Sequence, residues 1–175
     1  MDNNHPHLQL VERCRKGQRD AQFELYRLYS KAMYNTALRM LQNSHDAEDI
    51  LQTVFIEVFT KLDSFRYECS IGAWIKRITI NKCINFLKSK RLVFQELSAQ
   101  QEVAPEPEND YTPPFTTDRI RKAVDALPDG YRVVFSLYAF EGYDHEEIAQ
   151  ILDISEATSK SQYSRAKAKL RQILS

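Results

Sequence analysis

Apolar residues recur along most of this chain at spacings of three and four, and almost nowhere at two, so the pattern predicts helices and no sheet. A short helix is expected over Leu8–Arg15 and a long one over Asp20–Leu41, with an inward stripe of Tyr26, Tyr29, Met33, Ala37 and Met40. The cleanest amphipathic run follows, through Ala47, Ile50, Leu51, Val54, Phe55, Val58, Phe59 and Leu62, with Asn43 or Ser44 as its cap. Asp63–Ser70 loses the period and reads as a loop. Helical spacing resumes over Ile71–Lys90 through Trp74, Ile75, Ile78, Ile80, Ile84 and Leu87. Four more helices are expected at Asp118–Leu127, Tyr131–Phe140, Asp144–Leu152 and Ser155–Leu174, with Pro128, Gly130 and Gly142 marking breaks. Asp144 and Glu147 have capping-box spacing, and Tyr143 and Ile148 stand where a hydrophobic staple would close across it.

The helical pattern fails over Gln95–Thr117, where Pro105, Pro107, Pro113 and Pro114 mix with acids and few aliphatics. Such a stretch buries too little apolar surface to offset the entropy of ordering it. The expected architecture is therefore all-α: two small helical domains, 8–92 and 118–175, joined by a flexible acidic Pro-containing linker over 93–117.

Charge sharpens this picture. The 24 Lys and Arg balance the 24 Asp and Glu. The zero sum hides segregation. Cys69–Gln95 contains no acid but carries Lys76, Arg77, Lys82, Lys88, Lys90 and Arg91. Leu92–Thr117 contains no base but carries Glu96, Glu102, Glu106, Glu108 and Asp110. The last helix sets Lys160, Arg165, Lys167, Lys169 and Arg171 against Glu156. Two basic blocks around an acidic one suggest two phosphate-facing surfaces and a link that avoids them. Cys14, Cys69 and Cys83 form an odd set without CxxC spacing, which fits a reducing cytoplasm better than a disulfide framework. Met1–His7 has no apolar run, so no secretory signal is expected, and no stretch suits membrane insertion. The four histidines lie outside any metal-ligand spacing, and no Gly-rich phosphate loop, GxSxG or HExxH occurs. Neither an enzyme nor a cofactor is expected.

Asp144–Leu152, a break at Asp153–Ile154, and Ser155–Leu174 have the spacing of a helix-turn-helix, whose second helix enters the major groove. Ser159, Tyr163, Ala166, Leu170 and Ile173 are expected to pack inward, with Thr158, Ser161, Gln162, Arg165 and Lys169 opposite and Lys160 and Ser164 on the flanks. The outward types can meet base edges and phosphates. A plain amphipathic helix with a solvated basic face is the other reading of the same pattern.

The stretch YDHEEIAQILDISEATSKSQYSRAKAKLR resembles the last conserved region of the bacterial extracytoplasmic-function sigma factors, which are removable subunits of RNA polymerase. DAEDILQTVFIEVFTKLDSF and SIGAWIKRITINKCINFLKSKR resemble an upstream region of the same family, in the family's order. The resemblance implies a protein that binds core RNA polymerase, through the clamp of its largest subunit and its flap region, and reads promoter DNA without catalysing a reaction. It assigns Glu48, Asp49, Gln52 and Thr53 to the clamp, although the residue pattern alone reads as ordinary solvated helix surface. It places the −10 element against Arg66, Tyr67, Lys76, Arg77, Asn81, Lys82 and Asn85. There Tyr67 offers a stacking face, whereas Phe65 is expected to anchor the loop in the core. Trp74 reads as either a core residue or a melting residue. The resemblance places the −35 element against Thr158, Lys160, Ser161, Gln162, Ser164 and Arg165, with Gln162 a candidate adenine reader. It leaves room for an anti-sigma factor among the partners. A stand-alone helix-turn-helix regulator is the competing reading, and it would bind duplex DNA without polymerase.

Overall fold

The computed structural model describes residues 7–90 and 116–175, and the linker expected over 93–117 falls outside them except for Thr116 and Thr117. Every regular element among the described residues is helical: α1 (Leu8–Arg15), α2 (Arg19–Leu41), α3 (Ser44–Lys61), a 3-10 turn at Leu62–Ser64, α4 (Ile71–Ser89), α5 (Thr117–Asp125), α6 (Asp129–Ala139), α7 (His145–Leu152) and α8 (Glu156–Leu174). The chain divides into two compact units, Met1–Phe86 and Leu87–Ser175.

In the first unit α2 and α3 are the most extensively packed pair, and α1 closes against α2 and the 3-10 turn. Asn43 caps α3, its side-chain oxygen accepting from the Asp46 N–H at 3.0 Å. All eight apolar positions of the α3 stripe shelter as expected: Ala47, Ile50, Val54, Phe55, Val58 and Leu62 are buried, and Leu51 and Phe59 are half-buried. The α2 stripe is rotated from its expected position. Leu25 is fully buried, while Tyr26 is 38% exposed and lays its ring edge-on to Phe55 at 4.8 Å. The bulk of tyrosine suggested an inward residue. Ala21 and Leu25, four apart and two turns before Met33, set the packing side instead.

The second unit packs α5, α6 and α7 onto α8. Ala123, Val124 and Leu127 meet Ala166 and Leu170, with Tyr131, Phe135 and Leu174 closing the edge. Arg132 is buried and ties the α5–α6 corner, donating to Leu127 O at 2.9 Å and pairing with Asp129. Gly142, at φ +77, supplies the left-handed turn between α6 and α7. The expected capping box opens α7: Asp144 Oδ1 accepts from the Glu147 N–H at 2.8 Å, and Glu147 Oε2 accepts from the Asp144 N–H at 2.9 Å. Asp153, also left-handed, stops α7, and the Ile154 N–H reaches back to Ala149 O at 3.0 Å. Ser155 then caps α8 by accepting from the Thr158 N–H at 3.0 Å. The helix-turn-helix is thus written in short polar residues, each meeting a backbone group that would otherwise be left unpaired at a helix end.

Candidate nucleic-acid interface

On α3, Glu48, Asp49, Gln52 and Thr53 are all exposed. Asp49, Gln52 and Thr53 share a face with Ile56, which is 68% exposed. Sequence reasoning missed Ile56. The signal was there, an apolar residue at i+7 from Asp49 on the polar side, but the clean stripe opposite drew attention away from it.

After α3 the chain enters the loop ahead of α4. Phe65 is buried as expected, its ring 5.3 Å from that of Trp74 and 4.8 Å from that of Tyr67. Trp74 is half-buried. Arg66 is exposed. Tyr67 departs from expectation: its backbone is left-handed (φ 60), its hydroxyl donates to the Glu12 carboxylate, and the Arg15 guanidinium lies over its ring at 5.0 Å. Burial and then the bond to Glu12 push its phenol up to about 12. The same bond, with Arg15, holds the Glu12 carboxyl below its ordinary value. Tyr67 is therefore not a free stacking surface in this conformation. Its partners on α1 lie 55 and 52 residues away along the chain, and nothing in the local sequence signals the contact.

Along α4, Arg77, Asn81 and Asn85 are exposed at intervals of four and form one outward face. Lys76 and Lys82 are half-buried on its flanks. Lys82 reaches α3, pairing with Glu57 at 2.6 Å, and Glu57 also holds Lys61 at 2.7 Å. Both contacts lower the Glu57 carboxyl, the Lys61 bond first.

On α8 the outward face is centred on Ser161 and Ser164, with Lys160 beside them and Arg165, half-buried, at the edge. Thr158 is half-buried at the other margin, its hydroxyl bonded to Ser155 at 2.8 Å. Lys160 pairs with Glu156 at 2.7 Å. Two placements differ from expectation. Gln162 is 1% exposed and its Oε1 has no hydrogen-bond partner, so it faces the core and not the outer face on which it was expected. It stands three residues after Ser159 and four before Ala166, on the packing side. Its polarity, not its angle, suggested the outer face. Ile173 is 38% exposed, and Leu174 takes the packing place at the helix end. A cluster not foreseen lies behind α8: His145 stacks on Tyr138 at 4.6 Å, meets Tyr163 edge-on at 5.6 Å, and its Nδ1 shares a hydrogen bond with Ser159 Oγ at 2.9 Å.

Among the described residues no group of three or more His, Cys, Asp or Glu could hold a metal ion, and no helix is long and apolar enough to cross a membrane. A capped helix pair presenting a small, polar and basic outer face defines a helix-turn-helix protein. The family models described as Sigma-70 region 2 and Sigma-70, region 4 match residues 25–93 and 117–170. The ECF RNA polymerase sigma factor SigW of Bacillus subtilis (strain 168) is 28% identical, over 94% of this chain and 94% of that protein. The ECF RNA polymerase sigma-E factor of Escherichia coli (strain K12) is 28% identical, over 90% and 88%. The fold is also similar to that of the sigma factor RpoE in its co-crystal structure with the anti-sigma factor NepR from Bartonella quintana, with a TM-score of 0.57, 23% identity, and coverage of 86% of this chain and 94% of that one. The chain belongs to the extracytoplasmic-function class of bacterial RNA polymerase sigma factors, and is accordingly a transcription factor and not an enzyme.

Proposed function

We propose that this sigma factor engages core RNA polymerase through the Asp49–Gln52–Thr53–Ile56 face of α3 and reads promoters at two separate surfaces. Glu48, next along the helix, borders the polymerase face. At the −10 element, the loop before α4 and the Arg77–Asn81–Asn85 face receive the opened strand, with Arg66 and the flanking Lys76 and Lys82 near its phosphates. At the −35 element, Lys160, Ser161 and Ser164 meet the major groove, with Thr158 and Arg165 at the margins. Serine donates or accepts at either base edge, and small side chains let the helix sit deep. The base-free segment 93–117 joins the two domains and repels DNA, so a basic channel on the polymerase, near its flap region, suits it better. The cytoplasm is the compartment where that polymerase works, and family membership adds an anti-sigma factor as a further proposed partner.

The observation that carries this reading is a pair of outward polar faces, on α4 and α8, in a chain whose net charge is zero. Zero net charge opposes unaided phosphate binding. The free chain should therefore bind duplex promoter DNA weakly, yet direct core polymerase to defined start sites. Comparing DNA binding by the chain alone with transcription by the reconstituted holoenzyme tests this. Tight, sequence-specific duplex binding without polymerase would instead favour the stand-alone regulator. In the same assay Arg165→Ala should relax preference at one −35 position if Arg165 touches a base edge, at a cost of about 1–3 kcal/mol.

A further inference from the structure

The loop that links the 3-10 turn to α4 is anchored by its own buried Phe65 and is also fastened from α1. Arg15 donates from Nε and Nη2 to Leu62 O, each at 3.2 Å, and from Nη2 to Phe65 O. Its Nη1 donates to Glu12 at 2.8 Å, and its guanidinium plane covers one face of Tyr67. Glu12 accepts the Tyr67 hydroxyl. One arginine thus bonds two carbonyls at the loop's entry, three residues apart, while its carboxylate partner bonds the loop's crown. Tyr67 meanwhile sits in a left-handed backbone conformation that a tyrosine rarely adopts unless its surroundings impose it. Glu12 and Arg15 are half-buried, and both turn their polar groups to this loop.

We propose that Glu12 and Arg15 form a latch that preorganises the −10 loop, making them specificity-determining positioning residues for promoter reading. This rests on the assignment of that loop to the −10 strand. With the latch closed, Tyr67 is a fixed wall, covered by Arg15 on one face and set against Phe65. A base extruded from the duplex meets a loop already in place, so less ordering is needed at the moment of capture. Arg66 and Glu68, on either side of the wall, are exposed to the incoming strand. With the latch open the loop would have to be ordered by DNA, and any base able to stack would do.

The test uses reconstituted holoenzyme on a promoter series varied at each −10 position. It compares Arg15→Lys, Arg15→Ala, Glu12→Gln and Tyr67→Phe with a control set, Asn81→Ala and Asn85→Ala. Arg15→Lys keeps the charge but loses the fork that reaches two carbonyls at once. It should therefore behave like Arg15→Ala, flattening discrimination at one −10 position by roughly tenfold, the loss expected for a charge-assisted hydrogen bond. Affinity for core polymerase and −35 preference should stay unchanged. A merely structural role would lower output equally on every promoter, and Arg15→Lys would restore it. That result would overturn the latch. If the control set alters −10 preference and the four latch variants do not, the latch fails while the assignment of the α4 face to the −10 strand stands. If neither set alters it, the assignment fails and takes the latch with it.

Discussion

Gln162 occupies a place on the packing side of α8 where a hydrophobic side chain of its length would bury no unpaired acceptor. Its Oε1 is buried without a partner, and so is Ser136 Oγ. Burying an acceptor unpaired is costly, whereas an apolar residue of matching shape removes that cost. Gln162→Met should therefore be neutral or stabilise the fold by up to about 1 kcal/mol in thermal melting, and leave −35 preference untouched. A changed −35 preference would return Gln162 to the reading surface. His145 makes the opposite case, a polar residue that the packing uses. Burial, then the nearby Lys160 ammonium, holds its pKa below the ordinary 6.5, against weaker opposing pulls from Glu156 and Asp144. The unfolded chain takes up that proton nearer 6.5, so the His145 contribution is complete above that pH and is lost as pH falls toward the lower folded value. Amide exchange in α7 and α8, corrected for intrinsic rates, should quicken as pH falls below about 6.5. His145→Gln should remove the difference, and a variant that kept it would exclude His145 as the source.

At the scale of elements, helices with strong caps were legible to within a residue or two. The α7 capping box and the α8 start needed only Asp144, Glu147 and Ser155, because capping is local chemistry. The inward faces of α2 and α8 were less legible, because side-chain type was a poorer guide there than angular position, as Tyr26 and Gln162 show. The loop before α4 was legible as a loop, but not as one fastened from α1, since contacts across more than 40 residues leave no periodic trace. The α3 face yields its own prediction. Ile56 is the one large apolar side chain on a polar surface, the composition of an interface anchor ringed by groups that exclude water. Ile56→Ala should weaken core-polymerase binding about tenfold, and Asp49→Ala with Gln52→Ala should weaken it further. All three side chains are exposed, so the melting temperature should barely move. Unchanged affinity in competition for core polymerase would refute this face as the docking surface.

For the molecule as a whole, segregated charge in the sequence pointed to two phosphate-facing surfaces, and each helical unit carries one of the outward faces proposed for that role. What the charge count could not convey is that some cations arrive already neutralised. Lys160 is held by Glu156 and Lys82 by Glu57, one such pair beside each outward face. A lysine in that state brings no net charge to a phosphate while its carboxylate stays beside it, so the pair should displace fewer of the cations condensed on DNA than a bare lysine would. Each surface therefore carries its own built-in counterion. If these faces meet DNA, the entropy gained on complex formation should be smaller than a tally of basic residues suggests, and binding should be correspondingly more tolerant of changes in ionic strength. Removing one internal counterion reverses this. In Glu156→Gln holoenzyme, the slope of log affinity against log salt should steepen by about 0.9, with tighter binding in dilute buffer and little difference in concentrated buffer. An unaltered slope would mean that Lys160 never reaches a phosphate at all.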